Sequence, residues 1–572
     1  MKPNRNPPAS ADAGFFCARR SPPGVSPTAC RSAATCSPPS AVPLTLGFVP
    51  RCIALLAGLV VTALGMSPDA YAAGARHVAS APGPRASSRN VDMSKRLLGE
   101  DDARYLLTRT GYSPDARELA PFVGLTRAQA VDRLLDESRR TAVTEPPPWA
   151  ADPPLYDARV KSMTAEQKRD LNERRNRMAA SLAAWWAQEM ATTPSPLTER
   201  MTMFWHNHFV SSSDKVREPV VMYRQNVLLR ANALGNFGTL LHAVSKDPAM
   251  LIYLDGAGSR KGRPNENFAR EVMELFTLGE GHYTEQDVRE AARAYTGWSI
   301  DRPTMTYVWR ANLHDTGTKT VLGQTGDFDG DQVLDILLAR PETATFVTGK
   351  LWREFVSPTP DPQQAARVAN AFRASGYDIR VALRALLLTP SFWDRDARGT
   401  LVKSPSEFVT DTVREFDIGY DDPQMLARQM GVLGQALFRP PNVKGWPGGD
   451  AWIDSSTLLA RKQFVERMFR ATEKANAGAA SMVPSMSMRT DVRRTALTMA
   501  PSMPRTVAGV RFDLARWLQP YALGPVDVPD ARAREALQRA VLPMAPAAPQ
   551  TSGDNSAAYL QALLMDPAYQ LK

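Results

Sequence analysis

From about residue 93 onward, apolar residues recur at intervals of three and four, the period of a helix with one buried face. Leu97, Leu98, Tyr105, Leu106 and Leu107 open this pattern. It continues through 126–138, 167–190, 196–209, 219–232 and 236–246. A further stretch, "PNENFAREVMELFTLGEG" (264–281), starts after a proline and ends on Gly279 and Gly281, as helices often do. "TEQD" then offers Thr284 and Asp287 as a capping pair for a helix over 285–295. Between Trp298 and Gly323 the residues turn to Thr, Val, Tyr and Trp around the turn-like "HDTGTK". That change predicts a small β-hairpin, or two short ribbons, inserted near 298–325. Helical periodicity resumes at 331–339, 341–355, 362–374, 378–388, 405–416, 456–469 and 557–566, with a rigid loop at 440–450. The predicted fold is mainly α: one large multi-helical domain over 93–570 with a small β insertion.

The first 92 residues depart from this pattern. Residues 1–50 are rich in Pro, Ser and Ala, and Arg51 precedes the apolar run "IALLAGLVVTALGM" (53–66). That run is short for a bilayer span but suits the core of a signal peptide, and Ala70-Tyr71-Ala72 has the small-x-small form that signal peptidase cuts. The expectation is an exported chain, periplasmic or secreted, cleaved near Ala72, with 73–92 a flexible linker and no stable transmembrane span in the mature chain. All four cysteines (Cys17, Cys30, Cys36 and Cys52) precede that cut. The mature chain therefore has no disulfide, thiolate metal site or cysteine nucleophile. Cleavage would lower the formal charge from +10 to +6, without any block of five basic residues. Nucleic acid binding needs a concentrated basic face, and none is visible. A Met-rich stretch within 472–510 (Met482, Met486, Met488, Met499 and Met503) reads as a mobile insertion, with Cu(I) binding by thioethers a weaker alternative.

Candidate chemistry gathers in a few stretches. "FWHNHF" (204–209) holds two of the six histidines. On a helix His208 falls on the apolar stripe of Leu197, Met201, Phe204 and Trp205, while His206 lies about 200° around it. The spacing therefore predicts one histidine in and one out. Both could bind one metal only if the last turn unwound, and a core role for His208 satisfies the pattern equally well. In 264–281, Glu271 and Glu274 sit near the apolar stripe, as general acid/base candidates or as part of a solvated ion-pair face. His314, Asp315 and Lys319 share one turn, where either a catalytic loop or an ordinary turn is possible. "GDFDGDQVLD" misses the glycine and glutamate positions of an EF-hand, so Asp329 or Asp331 is better read as a helix cap.

Four stretches carry a resemblance: "ERMTMFWHNHF" (199–209), 264–298, "HDTGTKTVLGQTGDFDGD" (314–331) and "LFRPPNVKGWPGGDAWIDSSTLLAR" (437–461). In this order they resemble the bacterial DUF1800 family of exported, mainly helical proteins. The resemblance implies that His206, His208, Glu271 and the His314–Asp315 turn act together, and that a co-exported protein encoded nearby is a partner. One expectation is a metal-dependent hydrolase acting on an envelope or extracellular polymer. His206, His208 and His314 would bind Zn or Fe, with Glu271 as general base, Asp315 orienting the ligands or serving as a fourth, and Lys319 a further catalytic residue. The other is a non-catalytic scaffold, with tryptophans such as Trp185 and Trp186 supplying binding surface.

Overall fold

Capping chemistry sets where many of the helices begin. Thr126, Thr164, Thr284, Asp329 and Ser404 each accept a backbone N–H with the side chain, while the residue three positions on reaches back to the cap. Pro196, Pro219, Pro341 and Pro362 open others, at positions where a missing N–H costs nothing. The computed structural model describes residues 93–155, 160–480, 509–548 and 553–572. The proposed signal segment and its linker, and Met482, Met486, Met488, Met499 and Met503, lie outside them.

The architecture is mainly α, as the periodicity predicts. Among the described residues the strands form only three two-stranded antiparallel sheets. The first pairs Trp298–Asp301 with Thr306–Trp309, with Trp298 opposite Trp309. The second pairs Lys319–Val321 with Gln324–Gly326. Leu322 and Gly323 connect these strands with both residues at positive φ, the turn that matches strand twist in a two-residue hairpin. The inserted β region is thus two short ribbons. The third sheet pairs Gly419–Tyr420 with Val510–Arg511.

The long helix Ala165–Thr192 packs against helices Pro196–His208, Pro219–Asn232, Pro405–Glu415 and Gln424–Val432. One apolar core runs through them, with Trp186, Trp205 and Trp352 almost fully enclosed. Burying side chains of that size contributes roughly 1.5–3 kcal/mol each. Among the described residues no helix is long and apolar enough to cross a membrane.

One element departs from the predicted geometry. The stretch 264–281 is regular only over Glu266–Glu271, then widens into a π-helix over Val272–Thr277. Leu278 N–H bonds back five residues to the Met273 carbonyl at 2.8 Å. The buried Thr277 hydroxyl donates to the Val272 carbonyl at 2.7 Å. Such wide turns occur mostly at functional sites. The widened turn contains Leu275 and Phe276, whose carbonyls matter below.

Candidate functional site

Helix Pro196–His208 is enclosed on nearly every side, from Leu197 through His206 and again at His208. A helix buried all round has no outward face, so the expectation of one histidine in and one out fails: both are buried. The helix also runs to His208 without unwinding, so the two rings point to different surroundings.

His206 sits among the rings of Trp186, Phe438 and Trp446, with centroids 5.5, 5.5 and 5.7 Å away. Burial lowers its pKa to about 4, which makes it neutral at ordinary pH. Its Nε2 has no hydrogen-bond partner among the described residues.

His208 has both nitrogens engaged. The Phe276 carbonyl can only accept, so Nε2 carries the proton and donates to it at 3.1 Å. Nδ1 therefore accepts, and Lys350 Nζ donates to it at 3.1 Å. Burial first, and the Lys350 charge second, push the imidazole pKa well down against the opposing pull of the carbonyl. Lys350 also donates to the Leu275 carbonyl at 3.2 Å. Both carbonyls lie in the last turn of the π-helix, where backbone acceptors lack helical partners. Burial, with repulsion from Arg353, lowers the Lys350 pKa to about 8.

These groups open onto a pocket of about 420 Å³. Phe204, Asn207 and His208 form one side, Lys350 and Arg353 another, and Lys444, Trp446 and Trp452 of the 440–452 loop a third. Asn207 ties helix to loop, accepting from the Trp446 backbone N–H at 2.7 Å. The approach is so close that a Cβ on Gly445 would lie 2.2 Å from Asn207 Oδ1, and Gly445 also needs φ +83°. Gly445→Ala is expected to cost about 2 kcal/mol or more through backbone strain and overlap. Thermal unfolding tests this, and an unchanged midpoint would refute the close-approach argument.

The rear of the pocket is a buried charge cluster. Arg200 contacts Glu354 and Glu407, each at 2.5 Å, and Lys572 also pairs with Glu407. Burial alone would raise the Glu407 pKa, but Arg200 and Lys572 hold it at about 2. The pocket lining carries five basic groups, Arg200, Lys350, Arg353, Lys444 and Lys572, against Glu354 and Glu407, so it favours an anion.

The other predicted residues fall elsewhere. His314 Nδ1 lies 2.8 Å from the Thr296 carbonyl, which fixes the proton on that nitrogen, and its ring packs on Trp309. Asp315 accepts from Arg293 at 3.0 and 3.2 Å and from the Gly317 N–H; the Arg293 bond is the main reason its pKa falls to about 2. Lys319 is buried, donating to the Gly317 carbonyl and to Asp327. Together these bonds tie the turn 314–319 to Arg293 on the helix Glu285–Ala294, to Thr296 and to Asp327. Glu271 is half-buried, and burial followed by the nearby Glu274 charge raises its pKa.

Among the described residues no three His, Cys, Asp or Glu side chains come together in a way that could hold a metal ion. The His206, His208 and His314 ligand set therefore does not fit Zn or Fe. Two histidines two apart on an intact helix diverge, His208 has no free nitrogen, and His314 belongs to the ribbons. Trp185 and Trp186 are core residues, 5% and 0% exposed, and provide no binding surface. Lys350, Arg353 and Lys572 carry no local motif, and only the three-dimensional structure brings them to the pocket.

A family model described as "Protein of unknown function (DUF1800)" matches residues 105–571. No curated protein and no solved structure matches the chain.

Proposed function

Because the chain belongs to the DUF1800 family and two of its motif stretches, 199–209 and 437–461, line this one pocket, we propose that it is an exported hydrolase that cleaves an anionic envelope or extracellular polymer, with Lys350 as general base. The observation that carries this reading is the bonding of the Lys350 amine. A neutral amine has two N–H donors and one lone pair. The His208 ring and the Leu275 carbonyl take the two donors. The lone pair is then left for the pocket that Lys350 lines.

In that state the amine takes a proton from water as the water oxygen attacks the scissile centre. The ammonium so formed returns a proton to the leaving oxygen. A pKa of about 8 is near the optimum for a group that must both accept and release a proton near neutral pH. Neutral His208 accepts from either form of the amine and so positions Lys350 without competing for its proton. Arg353 and Lys444 would face the negative groups of the polymer. Export rests on Arg51, the apolar run 53–66 and Ala70-Tyr71-Ala72. N-terminal sequencing of the chain recovered from the periplasm or medium checks it, with a new N-terminus near residue 73 expected.

The reaction is tested by incubating the chain with anionic glycans such as alginate, polygalacturonate and peptidoglycan. New reducing ends are expected, and they should disappear in Lys350→Met. If none of these polymers is cleaved, or if Lys350→Met cleaves as well as the unaltered chain, the proposal fails.

A further inference from the structure

A second cavity, of about 320 Å³, lies between the helix Glu100–Thr110, the segment 398–403, the end of the helix Pro405–Glu415 and the turn after the helix Ala531–Val541. Its polar equipment is unusual. Tyr105 and Glu415 line it and are each only 7% exposed. Yet the Tyr105 hydroxyl and Glu415 Oε2 have no hydrogen-bond partner among the described residues. A buried polar group left unpaired carries its full desolvation penalty. Two in the same cavity call for an occupant that bonds to them.

The wall chemistry indicates the charge of that occupant. Six lining side chains are basic and three acidic, with Arg398 lying 4.9 Å over the Tyr105 ring. The remaining wall is apolar, made largely by Val541, Leu542, Pro543 and Met544. Burial raises the Glu415 pKa to about 8, although Lys403 and Arg104 pull it down and Asp411 adds to the rise. Tyr521 and Tyr569 also lie within its electrostatic reach. At neutral pH Glu415 is therefore an O–H donor, and with the Tyr105 hydroxyl it makes a pair of buried donors.

We propose that this cavity binds a small organic carboxylate, its oxygens held by Tyr105 and Glu415 and its apolar body lying along residues 541–544. The site is separate from the Lys350 pocket, and its test does not depend on catalysis.

The experiment is calorimetric titration of the intact chain with hexanoate, with hexanol and inorganic phosphate as comparison probes. Hexanoate is expected to bind at pH 7, far more tightly than either comparison. Its affinity should fall as pH rises through about 8, where Glu415 loses its proton. Tyr105→Phe should weaken binding by about tenfold, the value of one hydrogen bond to a charged group. Glu415→Gln keeps a donor at the same place, so it should bind within about threefold at pH 7 and lose the decline above pH 8. If Tyr105→Phe fails to fold, the pH profile of Glu415→Gln decides the matter alone. The proposal is overturned if hexanoate does not bind, if hexanol or phosphate binds as well, or if Glu415→Gln keeps the pH dependence of the unaltered chain.

Discussion

Polymer cleavage is expected to rise with pH through about 8 and then level off, and Lys350→Met is expected to lower it by roughly 10²–10⁴-fold, the usual contribution of a general base. The direction follows from which form works. Only the neutral amine can accept a proton, and at pH 7 about a tenth of the lysine would be neutral. Lys350→Arg keeps the positive charge but not the titration, because a guanidinium does not lose its proton in this range. That variant should therefore be as inactive as Lys350→Met while still binding the anionic polymer. A second measurement separates mechanism from simple damage. The Lys350 pKa is lower in the folded chain than in the unfolded one, so between about pH 8 and ~10.4 the unfolded state holds more protons. Folding stability should climb through that window, and the climb should vanish in Lys350→Met. A pH–rate profile with no inflection near 8 would remove Lys350 from the chemistry.

Much of the fold is legible because helix starts are local chemistry. Thr284 with Asp287 and Asp329 with Gln332 close the reciprocal caps that their spacing announces. Pro341–Phe355 and Pro362–Ala374 occupy the spans their periodicity predicts. The helix Ala531–Val541 is harder to read, since only Leu537 and Val541 are buried and the apolar period is faint. The π-helix is harder still. Nothing in "VMELFT" marks a five-residue hydrogen-bond spacing, which depends on how Thr277 and Leu278 are satisfied.

The site divides along the same line. That FWHNHF belongs to it is readable, because a His-Asn-His among aromatics is rare in a chain with six histidines. How it belongs is not readable from spacing. A helical wheel assumes one wet face, and this helix has none, so His206 enters an aromatic cage and His208 meets a lysine 142 residues away. Lys350 itself looks like any lysine on an amphipathic helix. The role proposed for it comes from its bonds to His208 and to the Leu275 carbonyl at the end of a π-turn, a product of packing and not of any motif. The His314–Asp315–Lys319 turn shows the opposite case, a chemically suggestive sequence whose polar groups are used in tying the turn to Arg293, Thr296 and Asp327.

Glu199→Ala is expected to destabilise the chain by about 3–5 kcal/mol, the cost of stranding one member of a buried ion pair. Glu199 and Arg230 are each 1% exposed. Arg230 Nε donates to Glu199 Oε1 at 2.6 Å and Nη2 to Oε2 at 2.8 Å, while Trp186 Nε1 donates to Oε2 at 2.8 Å. Asn226 takes a further Arg230 donor at 2.7 Å. One carboxylate thus joins three helices: its own, the one carrying Trp186 and the one carrying Arg230. Removing it leaves a guanidinium in the core with Asn226 and the face of Trp185, 5.1 Å away, as its remaining support. Arg230→Met strands the carboxylate instead and should cost a similar amount. The double variant Glu199→Met, Arg230→Met should lose less than the two singles together, because no unpaired charge is left. Urea midpoints of the three variants measure this. Single losses below about 1 kcal/mol would place the pair with surface salt bridges and refute its structural role. Glu199 lies on the same unbroken helix as His208, so loosening that helix should also shift the His208–Lys350 contact and lower the cleavage rate before the chain unfolds.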